Sequence, residues 1–135
     1  MVKKILNGRI VGVVLQSEYS SSQLLRINEI STDKSQYYCD SQGNIYRYDL
    51  LKKKMANISI RKLEQRKNVV VDIHLDDGRR TTKRYLVKYL IGLAIFKISN
   101  LRADKISHLD GNPLNNKISN LFVDLTVDEI DKNFY

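Results

Sequence analysis

Ser107-His-Leu-Asp-Gly-Asn-Pro-Leu-Asn-Asn-Lys-Ile-Ser-Asn-Leu121 is the stretch on which the reading of this 135-residue chain turns. One histidine, His108, is followed by Asp110-Gly111 and then by asparagines at 112, 115, 116 and 120. Asn and Asp side chains fold their own backbone into tight turns, and Gly111 supplies a positive φ at little cost. The segment therefore reads as a rigid, hydrogen-bonded loop with a histidine at its edge. A histidine in that position suits a general base or a phosphate-contacting group.

Around this loop the elements alternate between β and α patterning. Ile5 to Leu15 reads as β structure with glycine interruptions, and the Ser-rich run Ser17 to Gln23 as a loop. Gln36 to Tyr48 reads as a hairpin turning at Ser41-Gln-Gly-Asn44, and Lys52-Lys-Lys54 as a linker or exposed turn. Asn68 to Leu75 is a strand of strong β propensity in which His74 alternates with Asp72 as an exposed position. Asp76-Asp-Gly78 is a turn, and Arg79 to Tyr85 the returning strand. Apolar residues at 87, 90, 91 and 93 to 96 predict a buried helix over Val87 to Phe96. Asn120 to Leu125 reads as a short strand. Thr126 and Glu129 have the spacing of a capping box opening a last helix over about Val127 to Asn133.

The formal charge of +8 is not spread along the chain. Residues 52–88 hold twelve Lys or Arg against four acids, so this block carries the entire excess and the two flanks cancel. Such a concentration is what phosphate neutralisation requires, the alternative being a merely solvated face. Tyr46, Tyr48, Tyr85 and Tyr89 flank or interrupt the block, which favours nucleic acid over a membrane surface. The candidate nucleic-acid-binding residues are Lys52, Lys53, Lys54, Arg79, Arg80, Lys83, Arg84 and Lys88. DNA is the expected partner, with RNA as the alternative polyanion. No amphipathic helix accompanies the lysines, and no apolar run is long enough to span a bilayer. The single cysteine, Cys39, excludes a disulfide framework or a cysteine-based zinc site. With no signal-peptide pattern after Met1, the expected setting is the cytoplasm.

His108-Leu-Asp-Gly-Asn112, Asn115-Asn116 and Asn120-Leu121 stand at the spacings of the ββα-metal finger of HNH homing endonucleases, which this part of the chain resembles. The likeness is strong over 108–121 and weaker over 36–135. In the weaker part, Tyr38 to Tyr46 is similar to the hairpin that opens many members, while Val87-Lys-Tyr-Leu90 and Ala94-Ile-Phe96 occupy the place of the helix before the finger. The resemblance implies an α+β protein in three parts. These are a β-rich N-terminal segment (1–35), a DNA-contacting region of basic hairpin and helix (36–100), and a C-terminal ββα finger (101–135).

It further implies metal-assisted phosphodiester hydrolysis with Mg²⁺ or Mn²⁺, and a phage or mobile-element origin with a host cytoplasmic setting. The catalytic residues it assigns are His108, as the base that deprotonates water, and Asn120, which orients the loop. Asp110, Gly111, Asn112, Asn115 and Asn116 would shape that loop. The family's metal ligand beside the histidine is Asp or Asn, where this chain has Ser107, and Lys88 replaces a family histidine. On the last helix the second ligand position falls on Ile130 or on Glu129, depending on whether the register is set from Thr126 or from Asn120. Glu129 and Asp131 are the candidate metal ligands. Two further readings stay open: a nucleic-acid-binding module without cleavage, and a phage structural or assembly protein that uses the finger as scaffold and meets a protein partner.

Overall fold

A computed structural model describes residues 2–6, 9–14, 23–63, 68–74, 82–96 and 100–123. Among these the protein is sheet-rich α+β, with one α-helix set among three antiparallel sheets.

The second sheet holds β3 (Leu25–Arg26), β4 (Ser35–Cys39), β5 (Ile45–Asp49) and β6 (Lys54–Ile58), in that order. Strand β4 alternates strictly: Ser35, Tyr37 and Cys39 are buried while Gln36 and Tyr38 are partly exposed, as a half-buried strand requires. The turn after β4 is built by Asp40. Its carboxylate accepts from the Gln42 and Asn44 backbone N–H at 2.9 and 3.0 Å, from Asn44 Nδ2 at 3.0 Å, and from Tyr46 Oη at 2.8 Å. Gly43 closes the turn at φ +91°, where a side chain would be strained. Lys54 opens β6 instead of ending a linker. That strand shows no alternation, because Lys54 to Asn57 are all exposed.

The third sheet runs β7 (Arg61–Leu63), β8 (Asn68–His74), β9 (Thr82–Leu86). The chain passes directly from β9 into α1 (Val87–Ile95). Only Lys88 and Tyr89 of this helix are not buried, so it serves as the centre of the core instead of covering one face. It packs on β3 and β4, on β8 and β9, and on the two strands that hold the histidine loop. A Cβ at Gly92 would lie 2.5 Å from Ile106 Cδ1, so this glycine lets the helix approach the loop's first strand closely.

Those two strands are β10 (Ile106–His108) and β11 (Leu121–Val123), paired Ile106↔Val123 and His108↔Leu121. They belong to the first sheet, in the order β1 (Val2–Leu6), β2 (Arg9–Val14), β11, β10. The N-terminal hairpin thus extends the sheet under the histidine loop, through Phe122↔Val14 and Val123↔Val13. Ile106, Ile118, Leu121 and Val123 are buried against α1 and the rest of the core. Among the described residues no helix is long and apolar enough to cross a membrane. The expected turn at 76–78, the Ser17–Ser22 part of the loop, the capping box at Thr126 and the final helix lie outside the described residues.

Candidate functional site

The loop from His108 to Leu121 is a lattice of side-chain amides centred on Asp110 and Asn120. Asp110 Oδ1 accepts from the Asn112 N–H at 2.8 Å and from Asn120 Nδ2 at 3.0 Å, and Oδ2 accepts from Asn115 Nδ2 at 2.8 Å. Asn120 Nδ2 also donates to the Asn115 carbonyl at 2.8 Å, and Asn120 Oδ1 accepts from the Asp110 N–H at 3.1 Å. The backbone completes the closure, with the Leu109 N–H on the Asn120 carbonyl at 2.8 Å. Asn120 therefore bridges the two ends of the loop with both polar ends of one amide, from a largely buried position.

Asn112 and Asn115 fold the segment between. Asn112 Oδ1 accepts from the Leu114 N–H at 3.0 Å, and Asn115 Oδ1 from the Lys117 N–H at 3.4 Å. Gly111 takes φ +72° and donates its N–H to the His108 carbonyl at 3.1 Å. The hydrogen bonds from Asn115, Asn112 and Asn120, with help from the nearby His108 ring, hold the Asp110 carboxyl below the usual carboxylate range. Asp110 is therefore a charged, fully engaged anchor at neutral pH.

Asn116 acts on the histidine itself. His108 Nε2 lies 2.8 Å from Asn116 Oδ1. An amide oxygen only accepts, so in this pairing Nε2 is the donor, and in the neutral form of the ring the lone pair then falls on Nδ1. Among the described residues Nδ1 has no hydrogen-bond partner. Asn116 is buried and its backbone rests on the β4–β5 turn: the nearest atom to a Cβ built on Gly43 is Asn116 O, at 2.9 Å. One residue pair further on, the Ile118 N–H donates to the Ser41 carbonyl at 3.0 Å. The β4–β5 hairpin and the histidine loop are thus docked through backbone contacts, an association that the two separate sequence motifs did not disclose.

The basic residues fall into distinct groups. Lys52 and Lys53 sit on the exposed turn after β5, whose backbone Asp49 Oδ1 caps at 3.0 Å from both Leu51 N and Lys52 N. Lys53 there has φ +54°. Lys54 is exposed at the start of β6. Lys83 and Arg84 project from β9, where Arg84 Nε pairs with Asp72 Oδ1 across the sheet at 3.1 Å. Lys88 does not join them. Its Nζ donates to the Ile106 carbonyl at 2.9 Å, and burial depresses its pKa despite the neighbouring Asp104. This lysine ties α1 to the strand of the histidine, so its charge serves the fold. Arg79 and Arg80 lie outside the described residues, as do Glu129, Ile130 and Asp131.

Within the described part of the site, the donors do not fit a metal ion. Ser107, next to the histidine, offers a neutral hydroxyl, a weak ligand for a hard dication. Asp110 already has both oxygens hydrogen-bonded. Among the described residues no three His, Cys, Asp or Glu side chains cluster. Comparison with family models, curated proteins and solved structures returned no match for the chain.

Proposed function

We propose that this chain is a DNA-binding protein built around an HNH-type ββα finger, in which His108 is the base that activates water against a phosphodiester. The observation that carries this reading is the hydrogen bond from His108 Nε2 to Asn116 Oδ1. It leaves Nδ1 as the basic nitrogen at the edge of a rigid loop, as a general base requires. The second support is charge: residues 52–88 carry the whole net excess of +8, a footprint suited to a phosphate backbone. In this reading Asn120 and Asp110 keep the loop in shape, and Lys52, Lys53, Lys54, Lys83 and Arg84 hold the DNA.

A second reading, DNA binding without cleavage, is favoured by Ser107 and by the engagement of both Asp110 oxygens. If Mg²⁺ or Mn²⁺ takes part, Glu129 and Asp131 are the carboxylates left to hold it.

Incubation of supercoiled plasmid with the purified protein, with and without Mg²⁺ or Mn²⁺, separates the two. Nicking that disappears in His108→Ala establishes the hydrolytic reading. Salt-sensitive DNA binding with no nicking under any of these conditions leaves the binding module. Absence of both, even at low salt, removes the proposal and favours a scaffold role in a protein assembly.

A further inference from the structure

Away from His108, a groove of about 480 Å³ opens where β9, α1 and the 3₁₀ turn at Asn28–Ile30 meet. Its walls include Glu29, Lys83, Arg84, Tyr85, Tyr89 and Leu93. Tyr85 and Tyr89, one at the end of the strand and one in the first turn of the helix, lie nearly parallel, 8° between planes and 6.4 Å between centroids. The uninterrupted passage from β9 into α1 sets this arrangement, because it places positions 85 and 89 on the same side of the junction. Lys83 Nζ stands 5.0 Å from the Tyr85 ring centre. The row is thus ammonium, ring, ring, open along one side to solvent.

Building on the nucleic-acid reading above, we propose that this groove binds an unpaired DNA base, stacked against the Tyr85–Tyr89 pair with its phosphate at Lys83. The groove has the size of a small-ligand site and admits one nucleotide, whereas a duplex keeps its base faces covered by stacking. Two partly exposed parallel rings add nothing to the neutralisation of a duplex backbone, for which cations suffice. They do fit the π-face of a base that has left its stack. Of the two cations in the groove, Arg84 is held by Asp72, while Lys83 forms no ion pair among the described residues. Lys83 is therefore the cation in the groove that meets a phosphate without disturbing an ion pair. Glu29 lines the same groove, and its carboxylate repels a phosphate seated beside it.

Fluorescence anisotropy with a short labelled single strand and with the matching duplex tests this. Tyr85→Ala and Tyr89→Ala should each weaken single-strand binding about tenfold, as loss of one base–aromatic stack does, and change duplex binding by less than about twofold. Tyr→Phe at either position should retain binding. Lys83→Gln, on an exposed side chain whose recorded contact is with the Tyr85 ring, should lower single-strand affinity and reduce its salt slope by about one. The chain has no tryptophan, so binding should also quench its tyrosine emission directly.

Unchanged single-strand affinity in Tyr89→Ala and Lys83→Gln overturns the proposal, as does an equal loss for strand and duplex in Tyr85→Ala and Tyr89→Ala. Tighter binding of the same sequence as RNA overturns the assignment to DNA. Tyrosine-dependent strand binding without plasmid nicking would remove hydrolysis and keep this site, while nicking with tyrosine-independent binding would do the reverse.

Discussion

His108 and Asn116 are joined by one 2.8 Å hydrogen bond, and that bond fixes which ring nitrogen bears the proton. Asn116 is buried with its backbone against Gly43, so the amide cannot swing away and the imidazole is held by a fixed acceptor. In Asn116→Ala the ring loses this partner. Nitrogen-15 NMR of the neutral imidazole should show a dominant Nε2–H tautomer in the natural protein and a mixture in the variant. Loss of this partly buried hydrogen bond should lower stability by about 1 kcal/mol. An unchanged tautomer ratio in Asn116→Ala would refute the role given to Asn116.

Asn120 is the costlier asparagine to remove. It is 7% exposed and satisfies the Asp110 N–H, one Asp110 oxygen and the Asn115 carbonyl. Asn120→Ala removes three hydrogen bonds at once, leaving the partly buried Asp110 N–H and Asn115 carbonyl without this partner, while Asp110 Oδ1 keeps the Asn112 N–H. We expect a loss of about 2–3 kcal/mol, read as a lower urea midpoint with an unchanged slope. Asn112→Ala, which frees one exposed backbone N–H, should cost about 1 kcal/mol or less.

Acid should loosen both turns. In Asp110 the hydrogen bonds from Asn115, Asn112 and Asn120 lower the folded pKa. In Asp40 burial raises it, but the hydrogen bonds from Asn44, Tyr46 and Gln42 outweigh that and the value still lies below the usual 3.8. A folded pKa below the unfolded one means that the unfolded state takes up protons first. The stabilisation is complete above the unfolded value and is lost as pH falls through the folded one. Urea midpoints should therefore be flat above about pH 5 and drop below about pH 4. Asp110→Asn should be less stable at neutral pH and flatten part of the acid limb; an acid limb identical to that of the natural protein would contradict this account.

Among the described residues, the two glycines with left-handed backbone should respond differently to a methyl group. Gly111 has φ +72° and open space around a built Cβ, so Gly111→Ala carries only the roughly 1–2 kcal/mol of the backbone conformation. Gly43 has φ +91° and a built Cβ 2.9 Å from the Asn116 carbonyl oxygen. Backbone atoms cannot turn aside, and overpacking adds roughly 1–3 kcal/mol. Gly43→Ala should be the more destabilised in thermal melts, and should shift the His108 ring resonances although it lies on another hairpin. Equal melting temperatures for the two variants would show that the turn and the loop are not docked.

The parts of this structure that could be read from the chain are those in which the pattern is local. Hairpin β4–β5 with its turn at Ser41–Asn44, the strand at 68–74 and the helix from Val87 each carry their own alternation or apolar run. Strand β6 could not be read, because its side chains are exposed on both faces and no period-2 signal exists. Strand β3, two residues long, offers no period at all. At the site, the residue types of the Asn loop were legible and their partners were not. Nothing in the order of residues 108–121 says that Asn116 faces His108 while Asn120 faces Asp110. Lys88 shows the limit for charges, since counting it in a basic block gives no hint that its ammonium ends on the Ile106 carbonyl.

The pairing of Phe122 with Val14 also dictates an order of events. Strand β11 finds its neighbour β2 near the opposite end of the described chain, so the sheet beneath His108 closes a loop that contains nearly everything else. Such closure comes late, because its entropy is repaid only after the intervening contacts form. During synthesis the helix and the β4–β5 hairpin can assemble while the N-terminal hairpin waits with an open edge. The β10–β11 pair that carries His108 is then the last piece added, and any activity it confers appears only once the whole described chain has emerged.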